Sequence, residues 1–301
     1  MNDSLKATSL STASLCTALK RRLERKDALL VPGVPNALLA RMVEDAGFEA
    51  VYVTGAGVAN AYLGVPDIGL TTLTELAEHV TAIREAVSLP LIVDADTGFG
   101  NPLNVIRTVR LLEQRGANGI QIEDQVFPKR CGHFEGKEVI PAEEMVQKVR
   151  AAADARRDAD FVIIARTDAR AVDGFEEAIE RAQRYREAGA DVTFVEAPQG
   201  MEELRDIPRR LACPQVVNMV IGGKTPLAPL PELREMGYAM VLYANAALQG
   251  AIQGAGDVLR HLRAEGSIEG VMEKIATFAE RQRLVAKPVY DALEKKYASP
   301  K

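Results

Sequence analysis

The chain has 301 residues, 47% of them hydrophobic and 26% charged, with a formal charge of −5. That is the makeup of a globular protein long enough to bury a large core without covalent staples. It lacks the basic surplus of a nucleic-acid binder, and no apolar run approaches the roughly 20 residues of a membrane helix. Cys16, Cys131 and Cys213 are odd in number and form no CxxC pair. They therefore speak against a disulfide framework or zinc knuckle, and for a reducing cytoplasm.

In chain order, the Ser/Thr-rich segment from Met1 to Ser14 runs into the basic stretch Lys20–Lys26. A transit peptide has a similar makeup, but without the apolar stretch of a secretory signal the segment reads as a frayed tail leading into a helix. Short, continuous apolar runs then recur at Ala28–Val31, Ala50–Val53, Leu91–Asp94, Gly119–Glu123, Phe161–Arg166, Val192–Glu196, Gln215–Asn218 and Met240–Tyr243. Continuous rather than alternating apolarity is the pattern of parallel strands covered on both faces. Amphipathic segments lie between them, such as Leu38–Ala46, Leu73–Ala86, Val105–Arg115, Glu143–Ala153 and Phe175–Ala188. Three helices end before a glycine, Gly47, Gly116 or Gly189, which can adopt the left-handed conformation that stops a helix. Eight strand–helix units predict an α/β fold, a TIM-type (β/α)8 barrel, as one domain over 1–301 with an N-terminal helix and a C-terminal helical extension.

Active sites of such barrels lie at the carboxyl ends of the strands. Those ends carry Tyr52 and Thr54, Asp94 and Asp96, Glu123 and Asp124, Arg166 and Asp168, Glu196, and Asn218. Strand ends are polar wherever they meet water, but so many ionisable groups around one mouth exceed what solvation requires. The segment Asp94-Ala95-Asp96-Thr97-Gly98-Phe99-Gly100 sets two carboxylates before a glycine-rich turn, and Glu123 ends the next strand. Carboxylates on adjacent strands can share a hard cation such as Mg2+, with Mn2+ as a possible substitute. The plainer alternative is a helix cap for Asp96 and a surface acid for Glu123.

From Glu123 to His133 the sequence Glu-Asp-Gln-Val-Phe-Pro-Lys-Arg-Cys-Gly-His forms a long loop after the fourth strand. It carries two cations, a thiol and an imidazole. Lys129 and Arg130 beside Cys131 are expected to favour its thiolate, and a thiol can return a proton to a carbanion. His79 and His261 fall inside predicted helices and read as packing or surface residues. The stretch Gly222-Gly223-Lys224-Thr225-Pro226 lacks the first glycine of a phosphate loop, and its proline opposes helix entry, which argues against a nucleotide site.

These motifs resemble the isocitrate lyase and phosphoenolpyruvate mutase superfamily. The likeness is carried by Lys129-Arg130-Cys131-Gly132-His133, Asp94–Gly100, Ile122–Gln125, Ala165-Arg166-Thr167-Asp168, Phe194–Ala197 and Asn218 with Gly222–Pro226. The resemblance implies a barrel that assembles as a homotetramer with its last barrel helix swapped between subunits. It implies Mg2+ near Asp94, with Asp96 and Glu123 helping mainly through bound water. Tyr52, Thr54, Gly55 and Ala56 would cradle a di- or tricarboxylate substrate, with Gly132, Arg166, Glu196 and Asn218 also binding it. Cys131 would be the acid–base residue, with Tyr52, Asp67, Lys129 and His133 near the reacting centre. The implied reaction is cleavage of a carbon–carbon bond, releasing an oxoacid such as pyruvate.

Among the branches, methylisocitrate lyases hold a third carboxylate with two arginines, where this chain aligns Gln249 and Phe278. Oxaloacetate hydrolases tend to carry serine where Ala244 stands, and phosphonate mutases tend to carry asparagine where Cys131 stands. The first expectation is thus a branched dicarboxylate of the 2,3-dimethylmalate type, with 2-methylisocitrate second. A phosphonopyruvate-acting enzyme and a non-catalytic oxoacid-binding barrel are the remaining alternatives.

Overall fold

The computed structural model describes residues 11–130, 132 and 136–298. In chain order the elements are α1 (Thr12–Glu24), β1 (Leu29–Val34), α2 (Ala37–Asp45), β2 (Val51–Val53), α3 (Gly55–Val58) continuing into a π-turn (Ala59–Leu63), α4 (Leu73–Ala86) and β3 (Leu91–Asp94). Next come α5 (Pro102–Gln114), β4 (Gly119–Glu123), α6 (Ala142–Ala155), β5 (Val162–Thr167), α7 (Ala169–Val172), α8 (Phe175–Glu187), β6 (Val192–Val195), α9 (Met201–Arg210) and β7 (Gln215–Asn218). The chain ends with α10 (Leu230–Met236), β8 (Met240–Tyr243), α11 (Ala246–Glu265), a short 3-10 turn, α12 (Phe278–Leu284) and α13 (Lys287–Tyr297).

The eight strands run parallel in sequence order and close into a barrel where β1 pairs with β8, from Leu29 opposite Met240 to Pro32 opposite Tyr243. Side chains alternate across each strand. Leu29, Val31, Val162, Ile164, Met240 and Leu242 fill the bore, and Leu19 and Leu23 of α1 join that cluster. The opposite faces pack outward, with Val53, Val93 and Ile122 under α2 to α6 and Val195, Val217 and Val241 under α8 to α10.

Local chemistry explains the element ends. Thr72 and Glu75 cap α4 reciprocally: the Thr72 amide donates to Glu75 Oε2 at 2.8 Å and the Glu75 amide to Thr72 Oγ1 at 3.3 Å. Asn101 caps α5 ahead of Pro102. Gly47, Gly116 and Gly189 take φ values of +82°, +92° and +114°, as a left-handed helix stop requires.

Strand β1 departs from the sequence expectation by continuing past Pro32 to Val34. Its pairing with β2 starts only at Gly33, so the missing proline N–H is not needed there. The barrel's last helix also behaves unusually. None of the 20 residues of α11 is buried, and an apolar cavity of about 560 Å3 lies beside it, walled by Leu30, Leu39, Met42, Phe48 and Tyr243. Among the described residues no helix is long and apolar enough to cross a membrane.

Candidate active site

The strand ends deliver their polar groups to one small cavity. Asp94 closes β3, and its Oδ2 accepts the Gly55 amide at 3.3 Å while Oδ1 accepts the Asp96 amide at 3.2 Å. A Cβ at position 55 would stand 3.1 Å from Asp96 Oδ1 and 3.2 Å from Asp94 Oδ2, so glycine lets that amide approach. Asp96 sits at φ +48° in the turn after β3, where it caps no helix. Lys129 arrives from the β4 loop and places its ammonium 2.5 Å from Asp67 Oδ1 and 2.7 Å from Asp96 Oδ1.

This cluster holds more negative than positive charge. Burial pushes Asp96 up to about 7 against the pull of Lys129, with Asp94 and Asp67 adding to the rise. Lys129 is held well above the usual lysine value, its burial outweighed by Asp96, Glu123, Asp67 and Asp94. Glu123, also buried, is raised well above a normal carboxyl by desolvation, which outweighs the opposing charges of Arg166 and Lys129. One of its oxygens, Oε1, is buried without a hydrogen-bond partner.

Across the cavity, Asp168 grips Arg166 through two bonds, Nε to Oδ2 at 2.9 Å and Nη2 to Oδ1 at 3.0 Å. The guanidinium lies 5.4 Å over the Phe194 ring, 3.4 Å from Glu123 and 3.9 Å from Glu196. Lys137 donates to Asp168 Oδ1 at 2.7 Å and to the Gly132 carbonyl, tying the β4 loop to the end of β5. Burial works to raise the Asp168 pKa, but Arg166 and Lys137 win and lower it to about 2. Behind them, Asp124 accepts from Thr167 Oγ1 at 2.7 Å, Tyr185 Oη at 2.8 Å and the Asp168 amide at 2.8 Å.

Of the residues expected from sequence, Tyr52, Thr54, Ala56, Asp67, Asp94 and Glu123 line the cavity, as do Lys129, Gly132, Arg166, Glu196 and Asn218. Cys131 and His133 lie outside the described residues. Three of the expected residues, Gly55, Asp96 and Lys129, are tied up by their neighbours. Gly55 does not line the cavity, because its amide is spent on Asp94. Asp96 also stays off the wall and faces Lys129, and among the described residues no three acids converge into a direct cation cage. Lys129 is 3% exposed, with its ammonium set against Asp67 and Asp96.

Some site residues were not singled out in the sequence. Lys137, Asn245, Val220 and Leu242 gave no signal, since a lone lysine, an amide or an aliphatic strand residue looks the same in any barrel. Asn245 accepts from Thr54 Oγ1 at 3.3 Å. Val220, Leu242 and Ala244 give the cavity an apolar wall. The cavity measures only about 60 Å3, room for about two waters.

Hard oxygen donors in charge excess, with one buried carboxylate oxygen unpaired, are the chemistry that a Mg2+ ion with several bound waters satisfies. Asp94 and Glu123, both facing the cavity, are the groups that would hold it, with Asp96 behind.

A sequence profile of the phosphoenolpyruvate phosphomutase family matches residues 19–263. The chain is 44% identical over 285 residues to 2,3-dimethylmalate lyase of Eubacterium barkeri, covering 94% of this chain and 99% of that one. It is 46% identical over 273 residues to a 2-methylisocitrate lyase of Aeropyrum pernix, covering 91% and 88%. The crystal structure of a 2,3-dimethylmalate lyase, described as a PEP mutase/isocitrate lyase superfamily member, superposes with a TM-score of 0.89 at 36% identity, over 95% of this chain and 96% of that one.

Proposed function

The chain belongs to the phosphoenolpyruvate phosphomutase family of the PEP mutase/isocitrate lyase superfamily, and on that premise we propose a Mg2+-dependent lyase that cleaves the C2–C3 bond of a branched 2-hydroxy dicarboxylate of the 2,3-dimethylmalate type. The observation that carries this reading is the pairing of Arg166, clamped by Asp168, with an acid cluster in charge excess across a cavity with one apolar wall.

Arg166 takes a substrate carboxylate through its remaining N–H groups, a bidentate-capable cation already oriented by its partner. Asn218 Oδ1, buried on the wall with no hydrogen-bond partner, is available to a substrate hydroxyl. Burial and the Asp94 charge push Tyr52 well above the usual phenol value, so Tyr52 acts as a protonated donor near neutral pH. A bound Mg2+ supplies Lewis-acid polarisation of the substrate oxygens. A base in the site takes the hydroxyl proton, the C2–C3 electron pair leaves with the departing carboxylate fragment, and the C2 oxygen becomes the carbonyl of the oxoacid. Cys131, in the role the family resemblance gives it, returns a proton to the carbanion. Lys129 and Gly132 line the cavity and stand beside a bound substrate.

For the substrate class, Ala56, Phe194, Val220, Leu242 and Ala244 suit an apolar branch. Gln249 and Phe278, the residues aligned with the tricarboxylate-binding arginines, are exposed and off the cavity wall. 2-Methylisocitrate is the second reading, favoured by the Aeropyrum relative. The protein acts in the cytoplasm, as a homotetramer.

The test is release of an oxoacid from 2,3-dimethylmalate, 2-methylisocitrate, 2-methylmalate, oxaloacetate and phosphonopyruvate in the presence of Mg2+. The first is expected to turn over with the highest kcat/KM, and both EDTA and Cys131→Ala are expected to abolish turnover. Activity that survives either one sinks the mechanism.

A further inference from the structure

A second cavity, of about 610 Å3, opens among the loops after β2, β3 and β4 and shares no lining residue with the catalytic one. Its volume falls within the roughly 300–1,000 Å3 of small-molecule sites. Lys148 of α6 lines it and is only 4% exposed. An ammonium has three N–H donors. Here one goes to the Thr97 carbonyl at 3.2 Å, and among the described residues no carboxylate lies within ion-pair distance.

Buried charges are ordinarily paired, so this cation is under-satisfied. A second polar group is in the same position. Thr71 Oγ1, on the same wall, is buried with no hydrogen-bond partner. Arg107 is exposed on the lining, also without a carboxylate partner among the described residues. Leu70 and Phe127, 51% and 64% exposed, supply hydrocarbon, with Phe99 and Ile140 beside them. The Phe127 ring lies against Gly69, where a Cβ would come within 2.9 Å of it.

We propose that this cavity is a ligand site for a small organic carboxylate with an apolar body. The carboxylate pairs with Lys148 and Arg107, Thr71 donates its hydroxyl proton, and the hydrocarbon lies against Leu70, Phe99 and Phe127. Glu144, the lining acid, is exposed and sets the limit on charge: a monoanion fits better than a dianion. The catalytic cavity, small and dominated by ionised groups, calls for the opposite kind of ligand.

Benzoate serves as the probe, with benzyl alcohol as its uncharged counterpart, inorganic phosphate as the anion without hydrocarbon, and oxalate as the probe of the catalytic cavity. In calorimetric titrations of the full-length protein with Mg2+, benzoate is expected to bind at least tenfold more tightly than benzyl alcohol or phosphate. Its binding is expected to survive saturation with oxalate. Lys148→Met is expected to weaken benzoate at least tenfold while oxalate affinity changes less than twofold. No benzoate binding, equal binding of benzyl alcohol, displacement by oxalate, or undiminished binding to a folded Lys148→Met protein overturns the proposal. Should that variant fail to fold, the comparisons on the unaltered protein decide the matter alone.

Discussion

Arg166 owes its aim to neighbours that never touch the cavity. Two bonds that Arg166 donates to Asp168 fix the guanidinium plane, and Asp168 is in turn held by Lys137 through its side chain and by Asp124 through its backbone amide. Lys137→Met leaves Asp168 with one cation instead of two and frees the Gly132 carbonyl. A lost charge-assisted hydrogen bond is worth about 1.5–3 kcal/mol, so oxalate affinity is expected to fall about tenfold or more, with partial recovery in Lys137→Arg. The same pair has a signature in acid. A carboxyl lowered to about 2 from 3.8 contributes stability that is complete above about pH 4 and is lost as pH falls toward 2. In Lys137→Met that loss is expected to be shallower, as read from urea midpoints at pH 5, 3.5 and 2.5. Unchanged oxalate affinity and an unchanged acid limb would leave Lys137 with no positioning role. Arg166 was legible in the sequence because cations are rare at strand ends. Lys137 was not, because its partner lies 31 positions further along the chain.

At the scale of elements, the ends of β1 and β8 meet more closely than side chains ordinarily allow. A Cβ on Gly33 would fall 2.0 Å from the Ala244 carbonyl oxygen, a backbone atom that cannot swing aside. Gly33→Ala is therefore expected to destabilise by more than about 3 kcal/mol in chemical denaturation, the upper end for an overpacked site. Ala244 lines the catalytic cavity, so activity is expected to fall as well. A variant as stable as the parent would mean that the strands can separate without cost. All eight predicted strands are present, and the helices Leu73–Ala86 and Phe175–Glu187 match the amphipathic segments closely. These elements were readable because the apolar period and the caps are local properties of the chain. The approach of Gly33 to Ala244 spans more than two hundred residues, and no local pattern encodes it.

At the scale of the whole molecule, α11 meets its own barrel only through its first turns, beside β1, and buries none of its residues. Ile252 and Leu259 are 61% and 63% exposed, while the apolar cavity between β1, α2 and the first turns of α11 stands open. An apolar helix and an apolar vacancy on one chain are satisfied together when two copies exchange helices. The expected solution mass is four times the 32.6 kDa of one chain, measured by light scattering, and Ile252→Glu combined with Leu259→Glu is expected to lower it. A monomer at micromolar concentration would refute the exchange.

Order along the chain was enough to establish the barrel, because parallel strands with both faces covered, separated by capped amphipathic helices, leave few other closures. The acids of β3 and β4, the strand-end arginine and the motif around Cys131 were likewise visible as local clusters of unusual chemistry. Tertiary structure alone decided that Lys129 is buried among carboxylates, that Gly55 serves Asp94, and that Lys148 stands nearly unpartnered under a second cavity. The physical reason is that burial and charge balance are sums over neighbours brought from distant parts of the chain, and a sequence records each residue without its neighbours in space.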